Sequence, residues 1–190
     1  MELKSMESVD FTGQTVLVRV DFNIEQSNIS NIEEHFRLDI VKETIDLIAV
    51  APGARIALLT HFGRPEGKPN AEYSVSKLVT AVSRSLGHNI VFVPDCIGEP
   101  VENALKQSAP DQILLLENVR FYEQEEANGE SFARELAKPF TMFVNEAFSV
   151  CHRAHASVEA ITRVLPSYAG LRLIKETVEL DQVRLRPEHP

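Results

Sequence analysis

Apolar residues in this chain come in short runs, and four of the runs end in polar clusters. VLVRVDFN ends on Asp21 and Asn23, RIALLTHFGRP on His61 and Arg64, QILLLENVRF on Arg120, and MFVNEAFSVCHRAH on His152, Arg153 and His155. From Thr15 to Asn23, Val16, Val18 and Val20 alternate with Leu17, Arg19, Asp21 and Asn23. That period of two marks a strand and sets the three polar side chains on one face. Between such runs the spacing turns helical. In IEEHFRLDIVKETIDLIA, Phe36, Ile40, Ile45, Leu47 and Ile48 recur near helical spacing, acids fill the first turn, and Arg37 lies near the start. Gly53 ends that segment, and Arg55 to Thr60 reads as a buried strand entering the HFGRPEGKP turn.

The same alternation continues to the end of the chain. Tyr73 to Leu86 reads as a helix stopped by Gly87, Ile90 to Val93 as a strand, and Glu99 to Gln107 as a helix. Ile113 to Leu116 and Met142 to Val144 read as strands on either side of a helix from Glu130 to Ala137, and Val158 to Val164 and Tyr168 to Val183 as closing helices. Repeated βα units predict an α/β fold: a doubly wound, mainly parallel sheet with helices on both faces, a three-layer, Rossmann-like arrangement. In such a sheet the strands' C-terminal ends share one edge, so the four polar clusters are expected to meet there.

Composition narrows the partners. At 190 residues the chain fits one large domain that buries roughly 70% of its unfolded surface. The formal charge of −9 argues against a whole-surface affinity for nucleic acid or an anionic membrane. Arginines at strand ends on this acidic background suit a small anion. The two cysteines, Cys96 and Cys151, lie in no metal-binding spacing, and the N-terminus lacks the apolar core of a signal peptide. No apolar stretch approaches the roughly 20 residues of a membrane span. A cytoplasmic protein with reduced thiols is the expectation. RLRPEHP at the end reads as a linker, as if the chain were part of something longer.

Several candidates have plainer explanations. Arg19, between valines, reads as a structural ion-pair residue, and Asp21 taken alone reads the same way. Arg55, Arg84, Arg134 and Arg163 read as solvent-facing. His152 and His155 have a spacing that allows a metal, but no acid or thiol set completes a site beyond Cys151. GRPEGKP lacks the spacing of a phosphate loop, and no GxGxxG follows the first strand. Arg64, Arg120 and Arg153 remain, with His61, and Arg37 on the opening helix. A guanidinium matches phosphate or carboxylate oxygens in a planar fork, and each charged hydrogen bond contributes about 1.5 to 3 kcal/mol. With Asp21 and Asn23 placed to recognise a hydroxyl, the expected ligand is small, phosphorylated and hydroxylated.

These residues also carry a family resemblance. RVDFN, the arginine of HFRLD, HFGRP, LLLENVRF, and VNEAF followed by CHRAHAS stand in an order and spacing that resembles the N-terminal domain of phosphoglycerate kinase, from about Val16 through Leu180. The resemblance implies reversible phosphoryl transfer between 1,3-bisphosphoglycerate and ADP in glycolysis. By motif, His61, Arg64, Arg120 and Arg153 would hold the 3-phosphate of 3-phosphoglycerate, and Asp21 and Asn23 the glycerate hydroxyl. Arg37 would reach the carboxyl end and act catalytically on the transferring phosphoryl. The same resemblance implies a substrate-binding domain over residues 1–180, the start of an interdomain linker over 181–190, and a C-terminal domain beyond it that binds Mg-ADP or Mg-ATP. On that reading this chain needs no cofactor or metal of its own, is monomeric, and turns over little or nothing alone.

The chain departs from the family pattern in places. Phe62 stands for an aliphatic residue expected beside the substrate, Glu146 for an Asp, and Ser149 for a Gly. Two other readings stay open: a stand-alone, non-catalytic module that binds a small phosphorylated anion, and an interaction domain whose arginines meet a protein partner.

Overall fold

A computed structural model describes residues 3–24 and 38–185. Among the described residues six strands form one sheet: β1 (Thr15–Arg19), β2 (Arg55–Leu59), β3 (Asn89–Val93), β4 (Gln112–Leu116), β5 (Met142–Asn145) and β6 (Ser167–Ala169). Their order across the sheet is β3-β4-β2-β1-β5-β6, and every pairing is parallel. Among the described residues, α-helices with both ends defined are α1 (Lys42–Ala49), α2 (Val79–Leu86), α3 (Glu99–Gln107), α4 (Glu123–Glu126), α5 (Glu130–Ala137) and α6 (Leu171–Leu185).

Strand alternation sorts the core into two slabs. Val16, Val18, Ile56, Leu58, Ile113 and Leu115 point to one face, where Ile45 and Ile48 of α1 and Val82 and Leu86 of α2 cover them. Leu17, Ala57, Leu59, Leu114, Leu116 and Phe143 point to the other, against Val101 and Leu105 of α3 and Phe132 and Leu136 of α5. Buried on both faces, the central strands have to be nearly all apolar, as parallel strands usually are. The three layers agree with the sequence-based expectation.

Element boundaries differ in instructive ways. The first ladder ends at Arg19, although the Val20 N–H still donates to the Leu59 carbonyl at 2.9 Å. Two 3₁₀ turns, Ala71–Tyr73 and Val75–Leu78, occupy the first part of the expected Tyr73 to Leu86 helix. Asn70 and Ser74 accept from the N–H groups of Glu72 and Ser76, giving each turn its own cap. Val158 to Val164 forms only the 3₁₀ turn Ala160–Arg163, and Tyr168 belongs to edge strand β6. The final helix therefore starts at Leu171. Of the helix expected around HFRLD, α1 is described from Lys42, and Arg37 lies outside the described residues.

Candidate functional site

A cavity of about 270 Å³ opens where β1, β2, β4 and β5 end. Asp21 and Asn23 reach it from the β1 exit, His61 and Arg64 from β2, Arg120 from β4 and Arg153 from β5. These are all the proposed ligand residues that the structure describes. Gly63, Ser149 and Val150 also line the cavity.

Buried polar side chains tie the loops together beneath the cavity. Asn118 is fully buried just after β4, and its amide bridges three segments. Its Oδ1 accepts from the N–H groups of Phe62 (3.2 Å) and Arg120 (3.1 Å), while its Nδ2 donates to the carbonyls of Phe62 (2.7 Å) and Tyr73 (2.9 Å). Thr60, also buried, accepts from the Phe22 N–H at 3.0 Å and so joins the β2 exit to the β1 exit. The Gly63 N–H donates to Asn23 Oδ1 at 2.9 Å, and the Gly63 carbonyl accepts from Arg120 Nη1 at 2.8 Å. Gly63 has a φ of +62°, and a Cβ there would lie 2.3 Å from the Tyr73 ring. Only glycine fits this position without strain.

Arg120 is 5% exposed, and its Nε is a buried donor with no hydrogen-bond partner among the described residues. Glu126 Oε1 comes within 3.4 Å of that nitrogen without completing a hydrogen bond. Burial lowers the Arg120 pKa, Arg153 and Arg64 lower it further, and Glu126 and Glu125 oppose them. An anion in the cavity would relieve that repulsion.

Arg19 lies behind the cavity and is 1% exposed. Its Nε donates to Ser157 Oγ at 3.1 Å, one Nη donates to the Val20 carbonyl, and the other contacts His61 Nδ1 at 3.1 Å. Glu125, fully buried on α4, accepts from the Ser157 N–H (2.8 Å) and Oγ–H (2.6 Å). Burial raises the Glu125 pKa, but His155, Arg19 and Ser157 outweigh it and keep the carboxylate charged. Arg19 thus keeps a structural role, with Glu125 as well as Asp21 among the acids that favour its charge.

His61 is held neutral. Burial together with the charges of Arg19, Arg120 and Arg153 lowers its pKa to about 2, against the opposing pull of Asp21. At Asp21, burial raises the pKa, but the Ser149 hydroxyl, the Asn23 N–H and Arg19 reverse the shift. Asp21 Oδ1 accepts from the Asn23 N–H at 3.1 Å and Oδ2 from the Ser149 hydroxyl. The site therefore presents a carboxylate, an amide, a neutral imidazole and three guanidinium groups.

The residues of the departing motifs fall in different places. Phe62 is 3% exposed and packs in the core beneath α1 and α2, so it does not line the cavity. Glu146 accepts from Thr44 Oγ1 and from the N–H groups of Arg172 and Leu173, which caps α6. Ser149 does line the cavity. His155 lies 3.7 Å from Glu125 Oε1, and His152 Nε2 accepts from Arg153 Nε at 3.2 Å. Among the described residues, no group of three or more His, Cys, Asp or Glu is placed to hold a metal. Sequence reasoning missed Asn118, Glu125 and Ser157; for Asn118 a signal existed in the polar pair Glu117 and Asn118 directly after the apolar run from Ile113 to Leu116.

The family model for phosphoglycerate kinase matches residues 6–190. The phosphoglycerate kinase of Bartonella bacilliformis is 45% identical over 190 residues, which is 100% of this chain and 47% of that protein. That of Coprothermobacter proteolyticus is 41% identical over 100% of this chain and 48% of its own length. The solved phosphoglycerate kinase from Coxiella burnetii superposes with a TM-score of 0.79 at 30% identity, over 100% of this chain and 47% of that one. The structure from Pyrococcus horikoshii OT3 reaches 0.86 at 24% identity over 99% of this chain and 47% of its own, a likeness of fold. The chain spans about half the length of these relatives, and with the family model matched over nearly all of it, the chain belongs to the phosphoglycerate kinase family.

Proposed function

We propose that this chain is the half of a phosphoglycerate kinase that binds the glycerate substrate, 3-phosphoglycerate or 1,3-bisphosphoglycerate, for reversible phosphoryl transfer with ADP and ATP in glycolysis. The observation that carries this reading is the convergence of Arg64, Arg120 and Arg153 with His61, Asp21 and Asn23 on one cavity. Three guanidinium groups around a neutral N–H donor suit a phosphate, and Asp21 with Asn23 suits the glycerate hydroxyl. Arg37, outside the described residues, is assigned to the carboxyl end, where positive charge stabilises a transferring phosphoryl group.

Magnesium does not suit this donor set, because Mg²⁺ takes oxygen ligands and the cavity sets three guanidinium groups against a single carboxylate. Mg-ADP or Mg-ATP is accordingly assigned to the C-terminal half of the relatives, beyond the linker proposed for residues 181–190. Domain closure would bring the two substrates in line, and the chain alone is expected to turn over little or nothing.

Calorimetric titration of the 190-residue chain tests the reading. Selective binding of 3-phosphoglycerate over inorganic sulfate, with no response to Mg-ADP, is the expected result. Binding of Mg-ADP, or equal binding of sulfate and 3-phosphoglycerate, would overturn it.

A further inference from the structure

Buried hydrogen bonds behind the cavity run in one direction. The Glu125 carboxylate only accepts, so the 2.6 Å contact is donated by the Ser157 hydroxyl. Having given its one proton to Glu125, the Ser157 oxygen accepts from Arg19 Nε at 3.1 Å. A guanidinium has no acceptor, so the 3.1 Å contact between Arg19 and His61 Nδ1 requires a lone pair on that nitrogen. The imidazole proton is then left on Nε2. No described residue hydrogen-bonds to Nε2, and it is not among the buried, unpartnered side-chain atoms, so it opens to the cavity that His61 lines.

We propose that Arg19 is a positioning residue: backed by Ser157 and Glu125, it fixes His61 as the tautomer whose Nε2–H donates to an anion in the cavity. The ligand class, a phosphate ester, rests on the function proposed above. The tautomer itself does not. His61 is faced by Arg19 from β1, Asp21 from the β1 exit, Arg120 from the β4 exit and Arg153 from the β5 exit. Asp21 approaches Nδ1 only to 3.9 Å, on the nitrogen that Arg19 already occupies, so it does not compete for a proton there. Recognition by His61 then stays that of a neutral donor across the working pH range. Any pH dependence of binding near neutrality follows the second ionisation of the phosphate ester, at about 6.

Nitrogen-15 NMR of the histidine side chains in the unmodified chain tests this, with the His61 signals assigned by their loss in His61→Gln. The expected result is one His61 species, protonated on Nε2 alone and unchanged from pH 5.5 to 8. A proton on Nδ1, or titration near pH 6.5, would overturn the proposal. In Arg19→Met, or in Ser157→Ala if the first variant does not fold, His61 is expected to populate both tautomers and affinity for 3-phosphoglycerate to fall at least tenfold. A purely structural role for Arg19 would leave the His61 spectrum unmoved. His61→Gln, whose amide has both an acceptor for Arg19 and a donor for the ligand, is expected to bind at least tenfold more tightly than His61→Leu. A fixed Nε2–H form in a chain that does not bind 3-phosphoglycerate would sustain the tautomer and defeat the function; binding beside a titrating His61 would do the reverse.

Discussion

A histidine buried among arginines lowers its energy by staying neutral, and this has a cost in acid. In the unfolded chain His61 takes up a proton near its ordinary value of 6.5, whereas in the fold its pKa is about 2. Between those values the unfolded state binds the extra proton, so acidification favours unfolding. The stability present above pH 6.5 is lost as pH falls, at a limiting slope of about 1.4 kcal/mol per pH unit. Chemical denaturation of the unmodified chain at pH 7 and pH 5 is expected to show a loss of roughly 2 kcal/mol from this group. His61→Gln should lose less by about that amount, and equal losses in both proteins would show that His61 is charged in the fold. Glu146 works the other way: burial raises its pKa over the opposing bonds from Thr44, Arg172 and Leu173, so its protonation in acid favours the fold. His61 was legible as a site residue from HFGRP. Its charge state was not, because Arg19 is 42 positions away and its contact with the ring exists only once β1 lies beside β2.

Short strands place the chemistry, and the loops after them are held by buried polar groups more than by regular structure. Glu125 is the clearest case. It lies on the four-residue helix α4, and its backbone carbonyl accepts from the Ala156 N–H at 2.9 Å while its carboxylate accepts from Ser157. Those bonds hold the segment that follows Arg153 against α4. Glu125→Ala would leave the Ser157 N–H and hydroxyl without their buried acceptor and Arg19 without the carboxylate that most favours its charge, and breaking such a set by one partner typically costs about 3 to 5 kcal/mol. Thermal or denaturant unfolding is expected to register a loss of that size, against under 1 kcal/mol for the exposed Glu130→Ala. A loss below 1 kcal/mol for Glu125→Ala would mean that the segment is held by apolar packing instead. At this scale strands and long helices were legible from period and caps. Edge strand β6 was hidden because three residues, Ser167–Ala169, carry too little pattern to be told from a helix start. Glu125 was hidden because a glutamate in an EQEE run looks like solvent-facing charge until Ser157 and His155 are folded onto it.

The molecule as a whole carries a formal charge of −9 yet gathers Arg64, Arg120 and Arg153 at one cavity. This convergence was foreseeable without any contact being known, since parallel strands end on the same side and the polar clusters follow the strands. It also carries an energetic cost: Arg153 and Arg64 both depress the Arg120 pKa, and Arg120 Nε has no hydrogen-bond acceptor among the described residues. A bound anion offsets that cost in the folded state only, so it should raise the melting temperature. At a hundredfold excess over its dissociation constant, a ligand stabilises by about 2.7 kcal/mol, roughly 5 to 10 °C for a chain of this size. The expected outcome is a shift of that order with 3-phosphoglycerate, shrinking as ionic strength rises because exposed Arg64 is screened. Arg120→Ala should lose more than half of the shift at the same ligand concentration, while its melting temperature without ligand stays level or rises as repulsion is relieved. Should that variant instead melt several degrees lower without ligand and keep the full shift, Arg120 holds the Gly63 loop and takes no part in anion binding.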